Sequence, residues 1–206
     1  MRSIMTVLSA AAALAAFCRY APSAATEDYP VPYTFAANLA GAARPYTCPP
    51  GADDWDYRPT AAHPRPVVLV HGFASRTNNT WQTYSPMLAN ENYCVFAINY
   101  GVPRGTPFPL NQIGGRARLQ DSAAELAAFV DRVLAATGAT KIDLIGHSEG
   151  IQMPQLLPQV PRRCAEVRTF VALAPFWRGT PVSATPASSP ATTSSPCPTP
   201  AASPTA

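Results

Sequence analysis

The chain has 206 residues, with 24 prolines, 13% charged and 47% hydrophobic residues, and a net charge of +3. That balance excludes a charge-driven disordered chain, and no basic cluster is dense enough to serve nucleic acid. The length suits one domain once both ends are set aside.

Residues 1–25 read as an export signal. Arg2 gives a positive start, Ile4 to Phe17 is an apolar run too short to span a bilayer comfortably, and Ser23-Ala24-Ala25 offers small residues for cleavage. Phe17 is a poor residue to precede a lipid-modified Cys18. No later segment is long and apolar enough to cross a membrane, so the expectation is a soluble, secreted chain without stable membrane insertion.

A domain is expected over residues 26–178. Four apolar runs, Val67–Val70, Tyr93–Ile98, Ile142–Ile145 and Val167–Leu173, are continuous rather than alternating. This suits strands covered on both faces of a parallel sheet. Trp81 to Asn90 predicts a short helix interrupted at Pro86. Gly101 to Gly115, rich in Gly and Pro, predicts a long loop at the end of the sheet where sites gather. Leu126, Phe129, Val130, Val133 and Leu134 form one apolar stripe, predicting a helix opened by a Ser122–Glu125 capping box and stopped at Gly138. Strand and helix in alternation predict an α/β fold with a mostly parallel sheet.

Residues 179–206 carry seven prolines, one valine and no charge, and are expected to form a disordered tail. Among the cysteines, Cys48 and Cys94 are the expected disulfide of an exported domain, with nothing demanding that Cys164 and Cys197 pair. The three histidines and the cysteines show no ligand spacing, so neither a metal nor a cofactor is expected.

Gly146-His147-Ser148-Glu149-Gly150 matches G-x-S-x-G and directly follows the third strand. In that context the pattern is a sharp strand-to-helix turn with a nucleophilic serine at its tip. Val70-His71-Gly72-Phe73 follows the first strand and can aim the Phe73 N–H at the serine. The Glu149 N–H is the second expected donor to a developing oxyanion. His71 is expected to brace that turn rather than act as a base, and His147 to pack against the sheet.

From about Tyr29 to Pro175 the chain resembles the secreted triacylglycerol lipases of GC-rich Gram-positive bacteria, class 2-like members of the α/β-hydrolase superfamily. The resemblance is carried by Cys48, His63 to Gly72, Trp81 to Leu88, Tyr93 to Gly101 and Asp143 to Gly150. It implies an α/β-hydrolase fold, hydrolysis of lipid-like or short-chain esters, Ser148 as nucleophile, and Phe73 and Glu149 as oxyanion donors. Glu149 stands where those lipases have Gln; because the backbone N–H is the donor, the hole need not be lost.

A serine hydroxyl needs a histidine to take its proton and an acid to orient that histidine. In this superfamily both follow the serine in the chain. After Ser148 these 206 residues hold no histidine and no aspartate; Glu149 and Glu166 are the only acids. An incomplete triad is therefore expected, with a sheet left open near Phe170 and Leu173. Gln155 to Cys164 departs from the resemblance, which resumes at Val167 and is lost again after Gly179. Frame shifts at those points, or truncation, would give a lipase-like body with a foreign end, and a divergent lineage is the alternative. A non-catalytic secreted lipid binder on the same scaffold is the second functional reading.

Overall fold

The computed structural model describes residues 28–44, 47–156 and 166–175. The predicted signal segment and the proline-rich tail lie outside them. In chain order the elements are α1 (Phe35–Ala42), β1 (Val67–Val70), α2 (Thr77–Thr80), α3 (Tyr84–Asn90), β2 (Val95–Ile98), α4 (Leu119–Thr137), β3 (Ile142–His147), α5 (Met153–Leu156) and β4 (Val167–Leu173). No helix among the described residues is long and apolar enough to cross a membrane.

The four strands form one parallel sheet in the order β2-β1-β3-β4. Their apolar runs are explained by what covers each face. Val68 and Val70 point into one buried cluster with Phe96, Ile98 and Leu144, roofed by Leu126, Val130 and Val133 of α4. Val67 and Leu69 point the other way, into a cluster with Trp81, Val95 and Ala97 against which Leu88 of α3 packs. Successive residues of a strand face opposite sides, so a strand covered on both sides must be apolar throughout.

The long helix begins one turn before the expected cap. Its N-cap is Arg118, with no side-chain cap bond. Ser122 lies inside the helix, fully buried, and Glu125 instead accepts a hydrogen bond from the Gly101 N–H at 3.1 Å. The stop is as expected: Gly138 takes the left-handed φ of 70°, and its N–H closes on the Leu134 carbonyl at 2.9 Å. Pro86 does not interrupt α3. It falls in the first turn, where a missing N–H costs the helix nothing.

The second strand is shorter than predicted, because Tyr93 and Cys94 precede it. The expected Cys48–Cys94 disulfide is not formed. Cys94 is a free thiol buried in the α4-side cluster, its Sγ 3.8 Å from the Tyr57 carbonyl oxygen, while Cys48 is disulfide-bonded elsewhere. Ala52 bridges to Val95 in parallel fashion, Asp53 N–H reaches the Val95 carbonyl, and the Asp53 carboxylate accepts the Ala97 N–H at 3.0 Å. Residues 52–53 thus cover the outer edge of β2.

On the other edge, β4 pairs with β3 alone among the described residues. Phe170 and Leu173 pack partly against the two clusters, while Val171 is 42% exposed.

Candidate active site

The chain passes from β1 to β2 on one side, then returns to lay β3 on the other side of β1. Parallel strands leave a crevice at such a reversal, beyond their carboxyl ends. The loop after β1 carries Gly72 and Phe73, and the turn after β3 carries Ser148. The predicted serine and the predicted donor turn therefore meet at the crevice.

Local chemistry fixes the serine turn. Ser148 opens a single 3-10 turn, Ser148–Ile151, immediately after β3, and its φ is 53°. A left-handed conformation at a non-glycine residue costs about 1–3 kcal/mol and persists only where the surroundings over-determine it. The glycines provide that constraint. A Cβ on Gly146 would lie 2.8 Å from the Gly150 carbonyl oxygen, and one on Gly150 would lie 2.5 Å from the Val70 oxygen and closer still to that of His71. The turn folds flat against the end of β1 only because neither position bears a side chain.

The loop after β1 is equally tight. A Cβ on Gly72 would sit 3.0 Å from the Ser148 Cβ and 3.3 Å from His147 Nδ1. Phe73 follows, 61% exposed, and Ala74 adopts φ 51°. Ser148 is half-buried and Gly150 fully buried, so the serine lies at the surface of the crevice with its support beneath.

His71 is wholly buried. Its Nδ1 is 2.8 Å from the Gly72 carbonyl, its ring stacks on Tyr100 at 4.4 Å, and the Tyr100 hydroxyl donates to the His71 carbonyl at 2.7 Å. Burial lowers the His71 pKa to about 4, so the imidazole is neutral around pH 7. With the Gly72 oxygen as acceptor, Nδ1 carries the proton, and the buried Nε2 has no partner. The expected bracing role is the one this geometry gives.

The loop between β2 and α4 completes the brace. Gly114 N–H donates to the Ser75 carbonyl and Gly115 N–H to the Tyr100 carbonyl, both at 2.9 Å. A Cβ on Gly115, at φ 65°, would lie 2.7 Å from the Gly72 oxygen. Tyr100 and the Gly114-Gly115 pair were not singled out from sequence. The available signal was position, since Asn99-Tyr100-Gly101 directly follows β2 at the same end of the sheet.

Charge around the serine is set by burial. Glu149 is half-buried, and desolvation raises its carboxyl to about pKa 7. The half-buried His147 is lowered for the same reason. His63 stacks on Tyr93 at 3.8 Å, just before β2 and away from the crevice end. Among the described residues no histidine hydrogen-bonds the Ser148 hydroxyl.

Residues 64–157 match the family model for lipase (class 2). A triacylglycerol lipase from Burkholderia plantarii is 33% identical over 159 residues, covering 68% of this chain and 40% of that protein. A triacylglycerol lipase from Pseudarthrobacter phenanthrenivorans is 33% identical over 129 residues, covering 54% of this chain and 37% of its own. The chain therefore spans about two-fifths of the length of these curated relatives.

Proposed function

Because the chain belongs, through residues 64–157, to the class 2 lipases, we propose that it is a serine ester hydrolase by descent. In this reading Ser148 Oγ attacks the carbonyl carbon of a lipid-like or short-chain ester, the alkoxide leaves, and water later releases the acid. The single observation that supports it most is the left-handed Ser148 pinned between Gly146 and Gly150 and against Gly72. The Phe73 and Glu149 N–H groups are the proposed donors to the tetrahedral oxyanion, worth about 3 kcal/mol each. The export signal and secretion expected at the N-terminus belong to the same reading, as does a triacylglycerol or simpler ester substrate.

Turnover is proposed to be impaired. The 206 residues supply no histidine after Ser148. His71 is buried against Gly72 and Tyr100, His63 stacks on Tyr93, and His147 adjoins the serine in the chain with no hydrogen bond to its hydroxyl among the described residues. Without a base, the oxyanion donors and binding act alone, and a rate deficit on the order of 10⁴ to 10⁶ follows. That same observation favours a second reading, a pseudo-hydrolase that binds lipid without turning it over.

Labelling with a fluorophosphonate probe tests the first reading without a substrate guess. Covalent labelling lost in Ser148→Ala supports it. A folded protein that resists the probe but binds fatty esters supports the second reading.

A further inference from the structure

A cavity of about 110 Å³ lies at the amino end of β2, where Tyr93 and Cys94 lead into the strand. This is the end of the sheet opposite the Ser148 crevice. Three tyrosines, Tyr29, Tyr57 and Tyr93, line the cavity together with Asp54, and they come from three separate stretches of chain. Small residues, among them Gly51 and Ala89, complete the wall.

Each tyrosine is fixed by contacts of its own. Tyr29 N–H donates to Asn90 Oδ1 at 2.8 Å, and Asn90 Nδ2 donates to the Tyr29 carbonyl at 2.9 Å. The Tyr29 ring lies against Gly51, at φ 79°, where a Cβ would sit 3.3 Å from Tyr29 Cε2 and collide with Ala89. The Tyr57 hydroxyl donates to the Asn92 carbonyl at 3.3 Å, and Tyr93 stacks on His63 at 3.8 Å. Rings already in place lose little freedom when a ligand arrives.

The local charge is negative on a chain whose net charge is +3. Residues 28–30, 51–58 and 89–95 build the cavity and its rim. They contain five acids (Asp28, Asp53, Asp54, Asp56 and Glu91) against one base, Arg58. Arg58 is not part of the wall, and its Nη1 donates to the Trp55 and Tyr57 carbonyls. Asp53 is buried on the Ala97 N–H, so Asp54 is the acid at the cavity itself. Its Oδ1 accepts the N–H groups of Asp56 and Tyr57, which leaves Oδ2 without a hydrogen bond among the described residues.

Aromatic rings attract a cation through their electron-rich faces, most strongly when the cation has little water to give up. A metal ion or a primary ammonium needs several acceptors to replace its hydration shell, and one carboxylate oxygen does not supply them. No group of three or more His, Cys, Asp or Glu placed to hold a metal occurs among the described residues. A quaternary ammonium has no N–H and needs no acceptor. We propose that this cavity binds a small quaternary ammonium solute of the choline type, its methyl groups against the three tyrosines and its charge beside Asp54. The acids at the rim favour a ligand without a phosphate. The site needs no chemistry at Ser148.

Calorimetric titration of the full chain with choline and with tetramethylammonium tests the site. Neopentyl carbinol, in which carbon replaces the nitrogen of choline, is the uncharged control. Both cations should bind at least about tenfold more tightly than the alcohol. Tyr57→Leu should weaken choline about tenfold, while Tyr57→Phe keeps the ring and stays within about twofold of the parent. Asp54→Asn keeps an oxygen for its two N–H donors and should cost about fivefold. Thermal melts establish that each variant is folded. Ser148→Ala should bind choline like the parent, and fluorophosphonate labelling should be the same in Tyr57→Leu as in the parent, so this site and the acyl chemistry fail separately. A parent chain that takes up neither cation overturns the inference, whatever the variants do. Equal binding of the alcohol also overturns it, as does undiminished binding in both Tyr57→Leu and Asp54→Asn. Glycerophosphocholine should bind more weakly than choline; tighter binding would overturn the assignment to a free solute.

Discussion

Tyr100 holds His71 twice, by ring stacking at 4.4 Å and by a hydroxyl bond of 2.7 Å to the His71 carbonyl. One side chain from the end of β2 thus sets the backbone that leads into Gly72 and Phe73. Tyr100→Phe keeps the stack and leaves a buried carbonyl without its donor. A loss of about 1–3 kcal/mol in a urea melt is expected, with slower fluorophosphonate labelling because the Phe73 N–H is no longer fixed.

Ser148→Gly should stabilise the protein. Glycine adopts φ near 53° without the side-chain penalty that serine bears there. A gain of about 1 kcal/mol, or about 2–4 °C in Tm, is expected by calorimetry. A lower Tm would mean that the turn is not strained.

Asp53 gives the fold a pH dependence. Burial raises its carboxyl from 3.8 to about 7, against the lowering effects of the Ala97 hydrogen bond and Arg132. Between those values the folded chain holds a proton that the unfolded chain has lost. Stability from this group therefore falls as pH rises from about 4 to about 7 and is level above. Asp53→Asn keeps an oxygen for the Ala97 N–H and removes the slope. Urea melts at pH 5 and pH 8 should differ less in the variant than in the parent.

Glu149 should shape reaction at Ser148. Its carboxyl ionises near pH 7 beside the N–H proposed to bind the oxyanion, and a carboxylate there opposes a second negative charge. The ratio of parent to Glu149→Gln labelling should fall as pH rises through 7. An unchanging ratio would place the carboxyl too far away to matter.

Much of this was legible from the chain alone. The runs at 67–70 and 142–145 gave β1 and β3 because both faces of each strand are covered, and the G-x-S-x-G turn followed at the end of β3. The start of α4 was not legible, because Ser122 and Glu125 have cap-like spacing but answer to Gly101, a partner set by tertiary folding. The cysteine pairing failed for a similar reason. Cys94 is drawn into the core beside Tyr57, and spacing along the chain does not report whether a thiol faces the core. The Tyr100–His71 brace joins residues 29 apart and leaves no local pattern.

The contacts that shape the Ser148 turn come from residues 70–72 and 146–151, and those bracing the neighbouring loop from 99–115. The turn and loop proposed to cradle an acyl group are thus assembled independently of whatever would accept its proton. Under the proposed impairment, free imidazole dissolved in the assay buffer should accelerate ester cleavage in proportion to its neutral fraction and leave Ser148→Ala untouched.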